Sequence, residues 1–143
     1  MLGLKRRIAI LSTVAVVVFF LIMWVMTGGR GNTSSCERHI GKSAIYSEHE
    51  IDQAMDLVEN MFVSEFKGCY LISLTYEEEL SMLYCDDWAS QYAADEALIL
   101  TSVFDVGPTG GDGSLNPNST YSNWQWILTR NEGEPWTLQT WGY

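Results

Sequence analysis

The sequence predicts an α+β domain carried behind an N-terminal transmembrane helix. Three observations predict it: a charge-free apolar run over 8–26, an amphipathic stretch at helical period over 47–66, and then alternating aromatic and β-branched runs broken by Gly- and Asn-rich turns. A helix followed by strands points to one long helix packed on a curved antiparallel sheet of about four or five strands, which by analogy of fold alone resembles NTF2-like or cystatin-like shapes. The 143 residues leave room for one such domain over 47–143 once a membrane segment is set aside.

The run IAILSTVAVVVFFLIMWVM at 8–26 has 19 residues and no charge, and a helix crossing about 30 Å of hydrocarbon needs about 20. A helix satisfies its own amides in lipid, which an isolated strand cannot do. Lys5, Arg6 and Arg7 precede the run, and Arg30 is the nearest charge after it. The positive-inside rule therefore predicts a cytoplasmic basic tail over 1–7, a single-pass signal-anchor helix over 8–26 in the cell membrane, and an extracytoplasmic C-terminal domain. A cleaved secretory signal is the alternative. Its apolar core usually spans about 7–15 residues before an A-x-A site, whereas this run is longer, lacks that site and carries Trp24, suited to an interfacial anchor. Cys36 lies too far beyond Met26 to be a lipidated cysteine.

All 18 acidic residues follow the apolar run, against 5 basic ones. Such a field repels nucleic acid and anionic surfaces, and serves solubility or the recruitment of a basic partner. The expected partners are the lipid bilayer through 8–26 and a protein or cell-envelope component for the domain.

Residues 27–46 are rich in Gly and Ser, lack periodicity, and read as a flexible tether. Ser47 with Glu50 makes a capping box that starts the helix. Ile51, Met55, Val58, Met61, Phe62 and Phe66 form its apolar stripe, and Gly68 stops it. CYLISLTY at 69–76 alternates, with Tyr70, Ile72, Leu74 and Tyr76 on one face. The stretch 77–96 is open between a strand near 80–84 and a short helix. ALILTSVFDV at 97–106 reads as a central strand, and WQWILTR, NEGE and PWTLQTWGY as a hairpin behind a glycine-rich loop.

Catalytic chemistry finds little support. Nucleophilic catalysis needs a histidine beside its nucleophile, and the two histidines are His39 in the tether and His49 in the first helical turn. No CxxC, HxxxH or HExxH suggests zinc. Asp86 and Asp87 beside Trp88 invite comparison with glycosidase acids, but sequence neighbours point apart and a surface position is the simpler reading. Asp105, Asp112, Asn116 and Asn118 carry oxygens without the spacing of a calcium loop, and a structural role for the loop is the alternative to an ion. No cofactor is indicated.

Among Cys36, Cys69 and Cys85, Cys69–Cys85 is the candidate disulfide on an exported domain, with unpaired thiols as the alternative. Trp124, Trp126, Trp136 and Trp141 serve the core or ligand stacking.

FKGC at 66–69, GGDGSLNPNSTYSNWQWILTR at 110–130 and the closing WGY at 141–143 resemble a group of small uncharacterised exported proteins, membrane-anchored or lipoprotein-like, of Gram-positive gut bacteria. The resemblance covers about residue 46 to the C-terminus. It implies an extracytoplasmic address, transfers no catalytic residue, and departs at the anchor, where a lipobox is expected and a plain apolar run stands.

The function expected is a membrane-anchored, noncatalytic extracytoplasmic binding module. The alternative is a small-molecule enzyme or ligand-binding domain of NTF2-like shape with a pocket between helix and sheet. Asp112, Asn116 and Asn118 in the loop, with Tyr121 and Trp124 after it, are the binding candidates.

Overall fold

The computed structural model describes residues 14–19, 21 and 29–143. Strand β1 (Glu37–Ile40) precedes helix α1 (Glu48–Glu65), strand β2 (Cys69–Tyr76), helix α2 (Glu78–Gln91), and strands β3 (Glu96–Val106), β4 (Thr120–Arg130) and β5 (Thr137–Gly142). The strands form one sheet in the order β1-β2-β3-β4-β5. β1 runs parallel to β2, and every other pair is antiparallel. The expected single long helix on a purely antiparallel sheet is thus corrected to a mixed sheet with helices of 18 and 14 residues.

The membrane expectation is corrected as well. Most of 8–26 and all of the basic tail at 1–7 lie outside the described residues. Residues 14–19 and 21 are helical and exposed, and among the described residues no helix is long and apolar enough to cross a membrane. A span needs about 20 continuous apolar helical residues, so the single-pass topology and the extracytoplasmic address derived from it are without support.

Helix α1 starts where the capping box places it. The Ser47 hydroxyl accepts from the Glu50 amide at 3.3 Å, and Glu50 Oε2 accepts from the Ser47 amide at 2.8 Å. Ile51, Ala54, Met55, Val58 and Phe62 form its buried face. They pack on Leu74, Leu98, Leu100, Phe104, Trp126 and Leu128, which are all fully buried.

β2 departs from simple alternation. A bulge between Leu71 and Ser73 shifts its register against β3, so Cys69 and Leu71 point inward before it and Leu74 and Tyr76 after it, leaving Tyr70 and Ile72 exposed. One extra residue reverses which side chains face the core, and this overturns the expected face Tyr70, Ile72, Leu74, Tyr76.

The undecided stretch becomes α2. It packs mainly on β3, where Ala97 and Ile99 are buried on the face opposite Leu98 and Leu100. β2 pairs with β3 only as far as Thr101. Beyond that point the buried Ser81 hydroxyl accepts from the Ile99 amide at 3.2 Å, replacing a missing strand partner.

The expected tether is ordered from residue 29 onward. Gly31 donates to Val63 O at 3.0 Å, and Asn32 exchanges bonds with Cys69 and Leu71. A Cβ at Gly31 would collide with the Phe62 carbonyl, so only glycine permits this approach. Arg38 on β1 then binds Asp56, Glu59 and Asp52 at 2.7, 2.8 and 3.2 Å, clamping the strand to α1.

All three cysteines are free thiols, so the Cys69–Cys85 bridge does not form. Cys69 begins β2, whereas Cys85 on α2 lies near Tyr76 at the far end of that strand. The 8-residue strand that separates Cys69 from that end spans roughly 25 Å, well beyond the reach of a disulfide.

Candidate functional site

At the C-terminal end of α1 the chain, the glycine-rich loop and the last two strands enclose an open cleft of about 210 Å³. Helix α1 supplies Glu65, followed by Phe66 and Lys67; the loop supplies Gly111, Asp112, Ser114 and Leu115; β4 and β5 supply Trp124 and Trp141. The loop is held by its own backbone. Gly110 has φ of 70° and its carbonyl accepts from Gly113 and Leu115 at 2.9 and 3.2 Å. A Cβ at Gly110 would stand 2.5 Å from the Leu115 carbonyl, so the turn demands glycine.

Asp112 Oδ1 accepts from the Ser114 amide at 3.0 Å. Hydrogen bonding from Ser114 is the main influence that holds this carboxyl below its ordinary value, and Lys67 adds to it. Asp112 is therefore an anion on the rim at neutral pH.

Beneath the rim lies an aromatic wall. Phe66 meets Trp124 edge-on at 6.0 Å and Trp141 at 6.2 Å, with Trp126 and Phe104 closer behind at 5.3 and 5.4 Å. Tyr121 stacks on Phe104 at 5.2 Å, and Tyr143 contacts Trp124 at 5.2 Å. Trp124 Nε1 is a buried donor without an acceptor among the described residues. Such a donor costs on the order of 1–3 kcal/mol, and an uncompensated polar atom in a well-packed wall calls for an explanation beyond packing.

Of the residues singled out by sequence, Asp112 and Trp124 line the cleft, while Asn116, Asn118 and Tyr121 are not part of its lining. Asn116 donates its amide to the Tyr121 hydroxyl at 3.2 Å and accepts from the Ser119 hydroxyl. Asn118 turns the chain at φ of 53° and donates its amide to Gly107 O. Sequence reasoning missed Glu65, Phe66, Lys67 and Leu115 as cleft residues, and named Trp141 only among the four tryptophans serving the core or ligand stacking. The FKGC string was the available signal for Phe66 and Lys67, but nothing local says that a helix end meets a loop more than 40 positions later.

Other chemistry does not gather here. Among the described residues no three His, Cys, Asp or Glu side chains converge as metal ligands. His39 sits 3.7 Å from Glu37 on β1, and His49 is exposed in the first turn of α1. Asp86 and Asp87 are exposed on α2. Cys69 lies under Gly111, where burial raises its thiol pKa and weakens it as a nucleophile. A hollow of about 390 Å³ before α1 is lined by Lys42, Ser43 and Ser47, but Ser43 and Ser47 spend their hydroxyls on Glu78 and Glu50. No known protein family, curated protein or solved structure matches the chain.

Proposed function

We propose that this domain is a noncatalytic binding module, and that its cleft receives a small ligand or a projecting group of a protein partner. The observation that carries the reading is the convergence on one open cleft of two indoles, two carboxylates and an ammonium. An enzyme with a pocket between helix and sheet is the weaker alternative, because that space is filled by Met55, Phe62, Leu100 and Trp126, none of them accessible to solvent. The cleft lining also holds no histidine or cysteine to pair as base and nucleophile.

The test is titration of the ¹⁵N-labelled full-length protein with a panel of simple sugars, amines, carboxylates and blocked amino acids, followed through the indole N–H signals. Saturable shifts at Trp124 and Trp141, lost in Trp141→Ala, are expected. Shifts confined to other tryptophans, or none across the panel, would remove the cleft from consideration.

A further inference from the structure

We propose that the cleft selects an organic cation, an alkylammonium group seated against the indoles; this rests on the cleft being the binding site and adds the chemical class of its ligand. Charge is the first support. Glu65 and Asp112 set two carboxylates on the rim against the ammonium of Lys67. Lys67 runs its alkyl stem beside Gly29 and its charge acts on Asp112, leaving one of the two negative charges unbalanced within the lining.

The helix supplies the second. α1 ends at Glu65 with no basic residue in its last turn, so the negative end of its dipole, about half an elementary charge, lies at the cleft, with Lys67 just beyond it as the one cation of the lining.

The third support is the aromatic wall. A cation within about 6 Å of an indole centroid is attracted to the ring face, and Trp141, at 36% exposure, remains open to a ligand. Trp124 and Phe66 extend the same apolar lining. An alkylammonium group meets all three features at once, its charge matching the rim and helix end and its methylenes the wall. The chain's net charge of −10 favours the approach of such a ligand.

The experiment compares choline with its neutral isostere 3,3-dimethylbutan-1-ol on the full-length protein at low salt, by the indole signals and tryptophan fluorescence. Choline should saturate, and the isostere should bind about tenfold more weakly, since only the charge differs. Asp112→Asn keeps the acceptor for the Ser114 amide, and Glu65→Gln alters an exposed side chain. Each should weaken choline about threefold or more with an unchanged Tm. N-acetyl-lysine methylamide separates the sources of the cation: tighter binding than choline assigns it to a protein side chain, and weaker binding to a free amine. Equal binding of choline and the isostere would overturn cation selection while leaving the cleft a binding site. Silence of the cleft indoles toward both ammonium probes would also overturn it, and silence toward the neutral panel as well would remove the cleft altogether.

Discussion

Glu50 joins the start of α1 to the end of β4. One carboxylate oxygen accepts from the Ser47 amide and hydroxyl at 2.8 and 2.7 Å, and the other accepts from Arg130 at 2.7 Å. The Ser47 amide first, then Arg130, hold its carboxyl down at about 2, against an ordinary 4.5. A depressed carboxylate stabilises the fold above its unfolded value, and that contribution is lost as pH falls through the folded one. Denaturant midpoints should therefore drop between pH 4.5 and about 2, and Glu50→Gln should be less stable at neutral pH with a flatter acid limb. An unchanged acid limb in that variant would place the sensitivity elsewhere. The thiols make a second residue-scale prediction. Burial raises Cys36 to about 11 and also raises Cys69 and Cys85, so few thiolates exist at neutral pH. Iodoacetamide should label the native protein slowly and the unfolded protein quickly at all three positions. Rapid native labelling at any one would contradict its burial.

At the scale of elements, α2 is the one whose existence depends most on its neighbours. Its first turn carries Glu78 and Glu79, which suits a helix N-terminus, but Met82, Leu83 and Tyr84 are exposed and give it no clean apolar stripe. It is held by Ser81 and Ala89 against the part of β3 that β2 leaves unpaired. Ser81→Ala leaves the buried Ile99 amide without its acceptor and should cost about 1–3 kcal/mol. Chemical denaturation will measure this, with amide exchange at Ile99 as the local readout. A loss no greater than that of an exposed control such as Ser90→Ala would mean the hydroxyl does not close the edge.

For the whole molecule, the N-terminal boundary of the domain lies well before α1. β1 pairs with β2, Arg38 ties it to three carboxylates of α1, and Cys36 and Ile40 pack against the core. Removing residues 1–41 should lower Tm by about 10 °C or more relative to removal of 1–28, as expected for a loss of a few kcal/mol in a domain of this size. Equal melting temperatures would return the segment to the status of a tether. The same order bears on the cleft, because Gly31 and Asn32 fasten the turn at the end of α1 to β2. Loss of that segment should therefore loosen Glu65, Phe66 and Lys67 and weaken any ligand bound there.

The features legible in the sequence are those whose partners are close in the chain. The Ser47–Glu50 capping box, the apolar face of α1 and the turn from Asn131 to Glu134 each arise within a few residues, where backbone geometry leaves few alternatives. Asp112 could be read as a loop anchor for the same reason, since its acceptor serves an amide two residues away. The tertiary structure decided what depends on distant partners. The bulge that turns Leu74 and Tyr76 inward answers to the register of β3, and the segment at 29–46 is ordered by α1 and β2 despite a composition suited to a tether. The cleft unites residues 65–67 with 111–115, 124 and 141. No local pattern encodes such a meeting, because its energy comes from burying aromatic surface that many chain segments share.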